Sequence, residues 1–145
     1  MANALYDLAR QSFLSANPTI DWDTDTIKVT LIDTADYTVN LATHQYMNTD
    51  TVPAAAKVGT PQTLGSKTVT AGVADAADVT FSAVTGDSVE ALIIWKDGGG
   101  GGTSASGTTD PLIAYIDTAT GLPVTPNGGD ITVAWDSGAN KIFRL

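Results

Sequence analysis

The densest run of ligand-type side chains is Asp21-Trp22-Asp23-Thr24-Asp25, with carboxylates at alternate positions. Alternating acids open the EF-hand loop because calcium takes several oxygen ligands from one short turn. That loop also needs a glycine at its sixth place and a bidentate glutamate at its twelfth. Thr26 and Ile32 stand there instead. The stretch reads as a solvated acidic turn, with a looser calcium site as the alternative. A histidine-dependent triad would have to use His44, the single histidine, and no Gly-x-Ser-x-Gly elbow presents a serine to it. The absence of cysteine leaves no thiolate ligand for zinc. Gly65-Ser66-Lys67-Thr68 separates glycine from lysine, which breaks the phosphate-loop pattern, and Lys67 opens a strand. Gly98 to Gly102 is a run of five glycines, but a phosphate cradle needs a helix N-terminus behind it, and Asp110-Pro111 and a strand follow here. The 16 acidic side chains are spread over turns, so no carboxylate pair for glycoside hydrolysis stands out. The residues point to no enzyme, no cofactor and no bound metal.

Binding chemistry is the remaining possibility. Trp22, Trp95 and Trp135 are residues of the type that stack on sugars. Trp95 and Trp135 continue apolar strand patterns and read as core, whereas Trp22 lies in an acidic loop and suits contact with a partner. Leu5 and Phe13, on the apolar stripe of the N-terminal segment, are the other two candidate partner-binding residues.

These side chains must be positioned by a mostly β chain. Asn3 to Ala16 has the spacing of one amphipathic helix, with Leu5, Leu8, Ala9, Phe13 and Ala16 on a stripe and Asn3 as cap. Asn17-Pro18 ends it, confining the helical segment to residues 1–17. Period-two alternation then takes over. Ile27, Val29 and Leu31 predict a half-buried strand with Lys28 and Thr30 outward. Val69 to Val73, Val79 to Ala83 and Ile131 to Trp135 predict three more, and Lys141 to Leu145 a last short one. The continuous apolar runs Ala91 to Trp95 and Leu112 to Ile116 predict strands covered on both faces. Asn40 to Met47 is read as a short second helix. Residues 98–108 read as a flexible glycine-rich loop, an exposed hairpin tip with little side chain to pack. About seven short strands separated by turn signals give a mainly β fold class, a β-sandwich or small barrel with one N-terminal helix. It occupies a single domain over residues 1–145.

Composition narrows the partner. A chain of 145 residues is long enough for a core without disulfides. A net charge of -9 repels phosphate backbones, so no nucleic-acid partner is expected. No run approaches the roughly 20 apolar residues of a membrane span. The first residues lack the basic and apolar regions of a secretory signal, so synthesis in a cytoplasm is expected.

Three stretches carry a resemblance: Ala35-Asp36-Tyr37-Thr38-Val39-Asn40-Leu41-Ala42-Thr43-His44, the run Val89 to Asp97, and the tail Pro111 to Leu145. Together they resemble small proteins of tailed bacteriophages encoded among virion structural genes. The resemblance implies a virion component made in the host bacterial cytoplasm. Its leading role would be a capsid decoration, or cement, protein on the outer capsid surface. The implied partners are the major capsid protein or other virion proteins, with further copies of the chain in the particle. A tail, baseplate or fibre-associated module and a carbohydrate-binding β-sandwich are the alternatives. The charge agrees with an outer position, since an acidic piece would meet packaged phosphate inside.

Overall fold

The computed structural model describes residues 3–145. The elements run β1 (Ala4–Leu5), α1 (Asp7–Ser15), β2 (Ile27–Ile32), a 3-10 turn (Ala54–Ala56), β3 (Lys57–Thr63), β4 (Thr68–Thr70), β5 (Val73–Asp75), β6 (Val79–Phe81), β7 (Ala91–Lys96), β8 (Leu112–Ile116), β9 (Ile131–Val133) and β10 (Phe143–Arg144). Among the described residues the elements are mainly strand, with one short α-helix. An antiparallel five-stranded sheet has the order β1-β8-β7-β2-β3, beside a three-stranded β10-β5-β4 sheet and a two-stranded β6-β9 sheet. None closes into a barrel, which removes that expectation. Among the described residues no helix is long and apolar enough to cross a membrane.

The register sorts the main sheet into two faces, because cross-strand partners share a face and neighbours along a strand do not. Leu31, Leu92 and Ile116 lie in one row, and Val29, Ile94 and Ala114 in the next. This face meets Ile131, Val133 and Ile142 of the C-terminal segments across a cleft. Thr30, Ile93 and Tyr115 make the opposite face, where Tyr37 of the long connection packs on Tyr115 with ring centroids 6.3 Å apart. β7 and β8 are thus covered on both sides, as their unbroken apolar runs require. Thr30 departs from its expected outward position and is fully buried. There its hydroxyl accepts the Trp95 indole N–H at 2.8 Å, so neither polar group is stranded in the core.

The N-terminal segment differs from the expected helix over Asn3–Ala16. Leu5 and Ala4 pair with Ala114 and Tyr115 as an edge strand before α1 begins at Asp7. Pairing satisfies backbone groups that a helix end would leave open, and it turns Leu5 inward. Asn3 caps no helix; its side chain accepts the N–H of Thr118 at 2.9 Å and of Asp117 at 3.1 Å, and donates to Thr118 O. Ala16, at φ 53°, ends the helix and returns its N–H to Ser12.

Three other expectations change. The single strand through Val69 and Val73 is a hairpin, turned at Ala71 and Gly72 with both φ positive, the geometry of a two-residue loop. The stretch Asn40–Met47 forms no helix. The Asn40 carboxamide accepts the N–H groups of Ala42 and Thr43, and Tyr46 then bridges to Pro111. Finally, β3 escaped the alternation pattern because Gly59 and Pro61 interrupt it. Its edge position tolerates proline, and a register shift opposite Val29–Leu31 absorbs Gly59.

The buried Thr30–Trp95 bond supports a first prediction. Thr30→Val keeps the shape but leaves the indole N–H without an acceptor, and should cost about 1–3 kcal/mol. Thr30→Ser keeps the acceptor and should cost less. Urea midpoints of the two variants give the comparison; a Val variant as stable as the parent would show that the bond contributes nothing.

Candidate functional site

The glycine run is an anion cradle whose anion comes from the chain itself. Amides of Gly98, Gly100 and Gly102 donate to the Asp110 carboxylate at 2.9, 3.1 and 2.7 Å. Those of Gly99 and Gly101 donate the other way, to Asp97 at 2.9 and 3.2 Å. Alternate amides thus converge on one carboxylate at each face of the loop, much as the amides of a nest converge on an anion. A side chain on Gly98 would run into the Thr109 carbonyl, and one on Gly102 would meet Met47 and Trp95 at 3.0 and 3.1 Å. Lys57 donates its ammonium to Gly102 O from β3. Burial lowers the Lys57 pKa, and Asp110 opposes the effect. Lys28 pairs with Asp97 at 2.7 Å and holds that carboxyl below its ordinary value. Most of the loop is exposed, as expected, but it is tethered to its own strands, and Gly102 is buried against Trp95. Its nest is also occupied, which leaves no empty cradle for a phosphate.

The other candidates for chemistry are likewise used within the fold. In the acidic turn, Asp25 accepts the Asp21 N–H at 2.8 Å and pairs with Lys96 at 2.8 Å. His44 completes a hydrogen-bonded row. The Asn40 N–H donates to its Nδ1 at 3.3 Å, so that nitrogen carries the lone pair. Tyr37 then donates its hydroxyl to Nδ1 at 2.8 Å, and Tyr6 donates to Tyr37 at 3.0 Å. Burial lowers the His44 pKa, raises Tyr37 to about 12 and raises Tyr6 further. Asp33, Asp36 and Asp87 bring carboxylate oxygens within 4.8 Å of one another, the spacing a hard cation would need. Asp33 already accepts the Ala35 N–H at 2.8 Å. Sequence spacing gave no sign of this group, since Asp87 arrives from a distant segment.

A surface of different character lies between α1 and β10. It is a groove of about 700 Å³ whose walls include Phe13, Leu14, Phe143 and Leu145. Leu14 is 90% exposed and Leu145 61%. A lone exposed leucine is ordinary; two on either side of half-buried phenylalanines make a strip. Both supports are fixed, Leu14 by the helix and Leu145 by its N–H to Gly72 O at 2.9 Å.

The candidate contact residues converge here, though not as expected. Phe13 stands 6.1 Å from Phe143, ring to ring, and lines the groove. Leu5 also lines it, from β1 and largely buried. Trp22 is not offered to solvent by its loop: it is 4% exposed, donates its indole N–H to Asp75 O, and meets Phe143 edge-on at 5.1 Å. It supports the groove from behind. Leu14 and Leu145 were missed because they fall outside the apolar patterns that mark a core. Trp95 is a core residue, while Trp135 is half-buried on the rim of a second cleft.

No protein-family model matches the chain, and no curated protein matches it.

Two predictions follow from the internal anchors. Gly102→Ala adds a clash to the cost of its positive φ, whereas Gly101→Ala, with open space around it, carries the backbone cost alone. Gly102→Ala should therefore lose about 1–3 kcal/mol more than Gly101→Ala in chemical denaturation. Equal losses would show that the loop is not packed on Trp95. For His44, a folded-state pKa below its ordinary 6.5 means that the unfolded chain takes up the proton first. Stability from this group is thus complete above that value and declines as pH falls below it. The corresponding loss from Asp97 comes only at more acidic pH, below its ordinary 3.8. The urea midpoint should fall between about pH 7 and pH 5, and His44→Asn should flatten that part of the profile. An unchanged profile in the variant would place the titration elsewhere.

Proposed function

We propose that this protein is a non-enzymatic structural component of a tailed-bacteriophage virion, and that it acts as a capsid decoration protein seated on the major capsid protein. The observation that carries the docking role is the groove between α1 and β10, an exposed apolar strip on rigid supports in an otherwise acidic molecule. The virion setting rests on the sequence resemblance. The strand layers are read as a two-layer sandwich, with the five-stranded sheet as one layer and the small sheets, packed over its Leu31–Leu92–Ile116 face, as the other. Such a body holds the groove rigid, so little ordering cost accompanies docking. Phe13 and Leu14 make the contact, and Leu5 and Trp22 buttress it. With Trp22 buried, the sugar-binding reading loses its exposed aromatic platform. A tail or baseplate position would use the same groove against a different partner.

Burying Leu14 contributes about 1.5–3 kcal/mol per bound copy, and contacts with several subunits act together. Particles from a phage deleted for this protein should bind the purified chain in many copies and regain resistance to heat. Leu14→Asp should reduce binding more than tenfold without changing the chain's own melting temperature. A handful of copies per particle, or depleted particles as robust as complete ones, would contradict the decoration role.

A further inference from the structure

The charges around the groove specify what fills it. The chain has two arginines, Arg10 and Arg144, and both line this groove. None of the 16 acidic side chains lines it, although the molecule carries a net charge of -9. We infer that the groove receives an acidic segment of a partner protein, anchored by apolar side chains and carrying carboxylates that meet Arg10 and Arg144. The inference rests on the docking role proposed above for the same groove and adds the chemistry of the occupant.

Each part of the site fits that occupant. Among the described residues Arg144 has no ion pair. Arg10 gives Nη1 to Asp7 at 2.6 Å, in a pair that is half-exposed on both sides. A guanidinium has five N–H donors in a planar fork, so Arg10 retains donors for a second carboxylate. Phe13, Leu14, Phe143 and Leu145 supply the apolar floor and rim. Arginine and aromatic side chains together are the composition enriched at protein interfaces. A nucleic acid fits less well, because two cations on an acidic body give little counterion release. A basic segment would bring cations against both guanidiniums.

The test uses the whole chain and two short synthetic peptides, one with paired leucines among glutamates and its twin with lysines. The glutamate peptide should shift the NMR signals of Phe13, Leu14, Phe143 and Leu145, and the lysine twin should not. Arg144→Glu, a change on an exposed strand end, should weaken the glutamate peptide about tenfold and favour the twin. Arg10→Gln should give a smaller loss in the same direction. Equal binding of the twins, or indifference to Arg144→Glu, overturns the inference. So does self-association through Leu14, seen by sedimentation, with neither peptide bound. The particle assay separates the two proposals. Particle binding lost in Leu14→Asp but unchanged in Arg144→Glu leaves docking standing and removes the acidic partner. Peptide selectivity with particle binding unaffected by either variant supports the acidic partner and removes capsid docking.

Discussion

Burial of the Asp110 carboxylate is the constraint on which the centre of this structure depends. The residue is 3% exposed and is separated from β8 only by Pro111, at the end of the connection from β7. A buried carboxylate without compensating hydrogen bonds costs several kcal/mol, so the connection must bring donors to it. Three glycine amides do so within a few residues of chain, and no bulkier residue could approach as closely at Gly98 or Gly100. Once the loop is folded, other parts are tied to it. Lys57 of β3 reaches Gly102 O, the Met47 N–H donates to Asp110 O at 2.7 Å, and Asn48 donates to Gly107 O at 2.9 Å. The long connection after β2 is thereby pinned over Trp95, whose indole in turn satisfies Thr30.

The same distribution of charge separates the inside of the fold from its proposed docking surface. Asp97, Asp25 and Asp75 are each paired with a lysine, and Asp110 is enclosed in the glycine loop. These acids are used within the fold. The groove between α1 and β10 is the reverse case: its leucine side chains are left exposed, and Arg144 has no ion pair among the described residues. Apolar exposure next to guanidinium groups is poorly suited to an isolated chain in water and well suited to an interface. The proposed docking role uses the surface where leucine side chains stay exposed beside Arg10 and Arg144.

The strands were legible where one physical signal dominated. β7 and β8 combine high β propensity with apolar runs, and the sheet buries them where the pattern says; β2 is a strand as its alternation indicates, but its Thr30 is buried as well. The pattern failed where local chemistry overrode it. Gly59 and Pro61 hid an edge strand, Gly72 split one expected strand in two, and Asn40 diverted an expected helix into a turn. The N-terminal stripe was real, but its first residues served a sheet edge before the helix began. The tethering of the glycine run is hidden from the sequence for a different reason. Composition conveys freedom in the unfolded chain, while the acids that hold these amides lie at the two ends of the loop, at Asp97 and Asp110. The candidate contact residues show the same limit. The place of Phe13 on the groove wall agrees with its position on a periodic stripe. The groove itself joins residues near opposite ends of the chain, and only the β10–β5 pairing and the packing of Phe143 on Phe13 and Trp22 bring them together.

The central claim, that this chain docks on a capsid through the surface between α1 and β10, is tested most directly by imaging. A cryo-electron microscopy reconstruction of complete virions would show the orientation of the chain relative to the shell. The account predicts density for this fold on the outer capsid surface, with Leu14, Phe143 and Arg144 turned inward onto the major capsid protein. Density in which that surface faces solvent, or in which the chain is absent from the shell, would contradict it.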